Sequence, residues 1–291
     1  MSEQFEFVGN HKKNDASKDT DNKNAYFVRH SKSGYKTYAQ TEKSENPRAP
    51  FDSEKQVTPD LTEEGIELAK RKAEEFFKTL DPTQDKLFFV SSNEARAVET
   101  ANIYREIASQ MGFEIIKPEK TRSKISDEVG NGEIRVLENL SLNPSDTILF
   151  NIFLPEKLIR PANWEAVDPE FKRKCDNARE IIKNDDQGSY CGNLHKHSKA
   201  IKEFFPEVET TQQLHEKEFK NLLRLVKWAE KKFEIKKNNI KIIAFGHENY
   251  VLNVLDESFH EKGINNCETI GISLDDQATI TFRDKDVQIN V

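Results

Sequence analysis

Short unbroken apolar runs alternate with amphipathic stretches along this chain. Tyr26-Phe27-Val28 in AYFVR, Leu87 to Val90 in KLFFVSS and Ile242 to Phe245 in IKIIAFG are continuous, not alternating. That is the pattern of strands buried on both faces, as in a parallel sheet. It predicts strands over 25–29, 86–92 and 240–246, with IRVLENL (134–140) as a further one. Between them the repeat changes to that of a helix. In DLTEEGIELAKRKAEEFFKTL, about 61–80, Ile66, Ala69, Ala73, Phe76 and Phe77 share one face. Asp60 or Thr62 can cap this helix, Glu63 and Glu64 favour its first turn, and Asp81-Pro82 stops it. A second helix follows in NEARAVETANIYREIASQMGF, ended by Gly112. A long one over 211–234 carries Phe219, Leu222, Leu225, Val226, Ala229 and Phe233 on a single face. HENYVLNVLDESF reads as a short helix, and TIGISL with ATITFR as a terminal hairpin across Asp275-Asp276-Gln277.

Strands alternating with helices predict an α/β fold: a three-layer sandwich with a mainly parallel central sheet and helices on both faces. Residues 1–24 are polar and charge-mixed, the pattern of a flexible N-terminal arm. The α/β domain occupies 25–291. Residues 31–59, with Pro47, Pro50 and Pro59, read as a long loop. A helical or irregular cap insertion takes up about 113–210, with helices near 168–184 and 196–205.

Composition narrows the class. The chain has 291 residues, 35% hydrophobic, so it can bury a sizeable core. Its net charge of −7 argues against a general nucleic-acid binder. No stretch approaches the ~18 apolar residues of a membrane span. Three widely separated cysteines, without a CxxC, argue against a disulfide framework and a structural zinc site. A cytoplasmic location, with neither nucleic acid nor membrane as partner, is the expectation; nothing in the sequence addresses oligomeric state.

The chemistry concentrates where the buried strands end. The first finishes on Arg29-His30, the second on Ser91-Ser92 with Arg96 one turn into the next helix, the last on Gly246-His247. Ligands of open α/β sheets bind beyond the carboxyl ends of strands, so all three ends should face one crevice. Two arginines, two histidines and helix N-terminal amides suit a tetrahedral dianion. His195 and His197, in GNLHKHSKA, read as polar-loop histidines in preference to metal ligands.

In order along the chain, VRHSKS, DLTEEGIELA, VSSNEARAVETA and FGHENYVLNVL resemble the histidine phosphatase (phosphoglycerate-mutase-like) superfamily. The resemblance covers 25–110 and about 236–282. It implies that His30 is a nucleophile forming a phosphohistidine, and that Arg29, Arg96 and His247 make the phosphate pocket. Leu61, Thr62 and Gly65 match a structural helix-start motif, and Glu99 and Thr100 orient or pack. The family commonly has glycine where this chain has Ser31, and RHSKS is closest to the form seen in the phosphohistidine-phosphatase-like branch. For the general acid, two residues stand open: Glu138 in VLENL and Glu248, directly after His247. The resemblance implies no metal and no cofactor, because the arginines and His247 neutralise the phosphate. The expected activity is hydrolysis of a phosphomonoester, on a phosphorylated small molecule or a phosphoprotein. The alternative is a catalytically silent phosphate-binding or interaction module on the same fold.

Overall fold

The computed structural model describes residues 23–33, 61–92, 95–116, 134–136, 169–183, 190–204, 210–215, 219–274 and 277–289. Among the described residues eight strands form one sheet: β1 (Ala25–Arg29), β2 (Lys86–Ser91), β3 (Glu114–Ile115), β4 (Ile134–Val136), β5 (Ile240–Gly246), β6 (Thr269–Leu274), β7 (Ala278–Phe282) and β8 (Lys285–Ile289). Their order is β3-β2-β5-β1-β6-β7-β8, with β4 also against β2. β2, β5 and β1 run parallel, as do the short β3 and β4 beside β2. β6, β7 and β8 add an antiparallel flank.

Successive side chains of a strand point to opposite faces, and each face of this sheet is covered. On one, Tyr26, Val28, Leu87, Phe89, Ile243 and Phe245 meet α1 (Glu63–Phe77) and α2 (Ala95–Gln110) through Ala69, Ala73, Phe77, Ala101 and Tyr104. On the other, Ala25, Phe27, Val90, Ile242 and Ala244 share a core with residues 222–229 and 251–259. The three-layer expectation holds.

α1 starts where its sequence says it should. Thr62 is extended, and its Oγ1 accepts a hydrogen bond from the Gly65 amide at 3.0 Å. The helix closes at Phe77, ahead of Asp81-Pro82, as Lys78 and Thr79 fold into a turn. α2 ends at Gln110, and Gly112 follows with φ +87°, a left-handed conformation that glycine adopts freely. The segment read as a cap contains α3 (Pro169–Lys183) and α4 (Tyr190–Phe204); the latter starts six residues before the expected 196. Within the predicted 211–234 helix, the described residues give α5 (Thr211–Leu214), α6 (Lys220–Phe233) and π-helical backbone at His215 and Phe219, where the turn is wider than 3.6 residues. The predicted apolar face of α6 is nonetheless buried from Phe219 to Ala229.

β5 leads into a 3₁₀ turn (Glu248–Tyr250), then α7 (Leu252–Val254) and a π-helical Leu255–Phe259. The β6–β7 hairpin is present as expected, but β8 carried no usable signal. Its hairpin turns through Arg283 and Asp284, both at positive φ (48° and 62°), without the Asn-Gly usual in such a two-residue turn. β4 covers only the start of the predicted 134–140, whose remainder lies outside the described residues, as do residues 34–60 and 141–168. At the N-terminus, Asn24 belongs to the sheet: its amide donates to Ile272 O at 3.1 Å, and its Oδ1 accepts from the Leu274 amide. No helix among the described residues is long and apolar enough to cross a membrane.

Phe77 is fully buried and its ring meets those of Phe76, Phe89, Tyr104 and Phe113. Phe77→Ala should lower stability by about 3–5 kcal/mol, read as a shift of the urea midpoint at unchanged slope.

Candidate functional site

β2, β5 and β1 are neighbours, so their carboxyl ends lie side by side. The pairing Arg29↔Gly246 and Ser91↔Phe245 brings the three polar termini level. Just beyond the ladder, the His30 amide donates to Gly246 O and the Ser92 amide to Phe245 O, each at 2.9 Å. Gly246 has a steric reason to be glycine: a Cβ there would stand 2.7 Å from the Phe27 ring.

His30 and His247 are buried, with ring centroids 5.1 Å apart. His30 Nδ1 lies 2.7 Å from Ser31 O. A carbonyl only accepts, so Nδ1 carries the proton and Nε2 is left with its lone pair. His247 Nε2 shares a hydrogen bond of 2.7 Å with Ser92 Oγ. Both imidazoles are held well below their ordinary 6.5. Burial is the main cause for each, and the nearby charge of Arg96 is the second. Both rings are therefore neutral at pH 7.

Arg96, in the first turn of α2, is 2% exposed, an unusual depth for a guanidinium. Arg29 sits at the end of β1, with Nη2 at 3.0 Å from Glu248 Oε2 and Nη1 donating to Ile264 O. The strand ends thus gather two fixed positive charges and two neutral imidazoles, one with a free lone pair.

The surrounding motif residues lock this arrangement. The Ser31 amide donates to Thr100 Oγ1 at 2.9 Å, and Thr100 Oγ1 donates to Arg96 O at 2.7 Å. Ser31 Oγ donates to Gly65 O at 2.6 Å, so the serine hydroxyl has a partner inside the fold. Glu99 Oε2 accepts from the Leu61 amide at 2.8 Å. Gly65 lets α1 approach the loop after His30: a Cβ at that position would lie 2.0 Å from Lys32 O. From the opposite side, the segment before β6 grips the Arg29-His30 backbone. The Cys267 amide donates to Arg29 O at 3.0 Å and Asn266 Nδ2 to His30 O at 2.8 Å.

Arg29, His30, Arg96, His247 and Glu248 thus stand together. Glu138 lies outside the described residues. Lys32 is exposed and paired with Glu64, as a solvated lysine would be. His195 and His197 lie on α4, not in a loop: the repeat there is helical, and His195 Nε2 approaches Asp256 Oδ2 at 3.3 Å. The residue that sequence reading missed is Asn266. It sits in an irregular, polar INNCE stretch with no periodicity, and only the fold brings it to His30.

No protein-family model and no curated protein matches the chain. Among solved structures, it is similar to a phosphoglycerate mutase from Bacillus anthracis, at 15% identity over 94% of both chains, with a TM-score of 0.46. A mycobacterial glucosyl-3-phosphoglycerate phosphatase in complex with inorganic phosphate is similar at 14% identity over 86% of this chain and 89% of that one (TM-score 0.40). A phosphoserine phosphatase mutant from Entamoeba histolytica is similar at 14% identity over 91% and 94% (TM-score 0.33).

The two depressed histidines predict an acid sensitivity. The unfolded chain takes up their protons near 6.5, whereas the folded chain binds them only at lower pH. Stability is thus fully present above about pH 6.5 and falls as pH drops toward the folded-state values. Urea midpoints at about pH 7.5 and about pH 5.5 should differ in that direction, and by less in His247→Gln.

Proposed function

We propose that this chain is a metal-independent phosphatase of the histidine phosphatase type, hydrolysing a phosphomonoester through a phosphohistidine on His30. The observation that carries this reading is the state of His30. It is buried and neutral, with Nδ1–H committed to Ser31 O and Nε2 left with its lone pair, its ring stands beside that of His247, and the charges of Arg96 and Arg29 reach it. A lone imidazole of this kind is usually structural. A lone pair facing a cluster of cations is what attack on a phosphate dianion requires.

In the first step Nε2 bonds to phosphorus as the bond to the ester oxygen breaks, and that oxygen takes up a proton from solvent as it leaves. In the second, water bonds to phosphorus as the N–P bond breaks, the water's proton passes to solvent, and inorganic phosphate departs. Arg29 and Arg96 neutralise the equatorial oxygens in both displacements, the largest contribution available in phosphoryl transfer, and the neutral His247 adds polar contact beside them. The low charge of the empty imidazoles helps too. A protonated His30 would be no nucleophile, and burial beside Arg96 keeps it neutral. A phosphorylated small molecule and a phosphoprotein both satisfy this chemistry, and the segment read as a cap, about 113–210, would choose between them.

Metal-independent turnover of p-nitrophenyl phosphate, with chelator present, tests the reading. His30→Ala should lower kcat/KM by about a thousandfold or more, and Arg96→Ala by about 10²–10³-fold. A folded wild-type protein that binds inorganic phosphate without turning over aryl phosphate would instead be the silent phosphate-binding module. Turnover untouched by His30→Ala would refute the assignment of the nucleophile.

A further inference from the structure

Among the described residues Glu248 is the one buried carboxylate, 4% exposed. A buried charge needs a counter-charge, and removing one member of such a pair strands the other. Its partner is Arg29 Nη2 at 3.0 Å, while the other arm of the same guanidinium, Nη1, donates to Ile264 O. The two anchors come from opposite sides, one from the turn after β5 and one from the segment before β6. They secure both arms of the guanidinium fork. Arg29 Nε is buried and has no hydrogen-bond partner among the described residues. Arginine has five N–H donors. With one given to Glu248 and one to Ile264, three remain, the unsatisfied Nε–H among them.

We propose that Glu248 is a positioning residue for Arg29: its carboxylate fixes the plane of the guanidinium and keeps donors turned toward the phosphate, and it is not the proton donor to the leaving oxygen. This rests on the phosphatase reading of the site. A proton on Glu248 would cost Arg29 its counter-charge at the moment the arginine is needed in place. The carboxylate also offsets the repulsion between Arg29 and Arg96, two guanidinium groups held in one poorly solvated crevice.

The two roles for Glu248 differ in what they make sensitive. A proton donor matters for a poor leaving group and hardly at all for an activated one. A positioning residue matters equally for both, and also for binding of inorganic phosphate, where nothing leaves. The experiment compares wild type, Glu248→Gln and Glu248→Asp in the full chain. It measures phosphate affinity by calorimetry, and kcat/KM on p-nitrophenyl phosphate and on glycerol phosphate. We expect Glu248→Gln to weaken phosphate binding and to lower kcat/KM on both esters by a common factor, on the order of 10- to 100-fold. Glu248→Asp, which keeps the charge, should recover part of each loss. Glu248→Gln should cost little further in an Arg29→Ala background.

A loss confined to glycerol phosphate, with phosphate affinity intact, would overturn the proposal in favour of a general acid. So would a Glu248→Gln protein unchanged in all three readouts. Should Glu248→Gln fail to fold, Arg29→Lys keeps the charge but lacks the two-armed fork. It should show the same loss, common to both esters, and a loss on one ester alone would again overturn the proposal. Phosphate binding separates the two levels of failure. A wild type that neither binds phosphate nor turns over either ester defeats the phosphatase reading and this proposal with it. A wild type that binds phosphate but lacks turnover still tests Glu248 through affinity.

Discussion

The site depends on the register between β1 and β5. Arg29 stands opposite Gly246, and the next amide along, that of His30, donates to the Gly246 carbonyl. Side chains alternate across a strand, so a slip of one residue would carry Phe27 and Val28 to the wrong faces and turn Arg29 away from its anchors. Two unlike cores, one against α1 and α2 and one against α6 and α7, make that slip expensive. The apolar packing of the sheet thus decides where the polar ends of its strands arrive.

At those ends the fold accepts an electrostatic burden. Arg96 is almost wholly removed from water and Arg29 largely so. Neither histidine adds charge: desolvation and the Arg96 guanidinium keep both neutral. Glu248 supplies a counter-charge to Arg29 at 3.0 Å. What is left at the strand ends is an excess of positive charge held in place by the fold. Preorganisation of that kind stabilises a transferring phosphoryl group without the reorganisation that water would need. The hydroxyl and amide contacts of Ser31, Thr100 and Asn266 hold the groups in place from behind.

Much of this was legible in the sequence, for identifiable reasons. Strands buried on both faces leave unbroken apolar runs, so β1, β2 and β5 could be read directly, and with them the polar residues at their ends. Thr62, Gly65 and the Arg96-Ala97-Val98-Glu99-Thr100 run are local signals, and each has a local structural job. Other features had no local signal. β8 is a polar edge strand behind a turn that lacks the usual residues, and the π-helical backbone at His215 and Phe219 lies inside a stretch whose apolar repeat reads as ordinary helix. Asn266 is separated from His30 by 236 positions and joined to it only through the fold. The ion pair of Glu248 was equally hidden, because its partner Arg29 stands on another strand, far away in sequence.

The most direct test of the account is chemical trapping of the intermediate. Wild-type protein would be mixed with p-nitrophenyl phosphate, quenched in alkaline denaturant within the first turnovers, and its phosphorylated peptide mapped by mass spectrometry. The account predicts one phosphoryl group, on the imidazole of His30, stable to base, labile to acid and absent from His30→Ala. Rapid turnover with no phosphorylated histidine, or with the phosphoryl group on another residue, would contradict it.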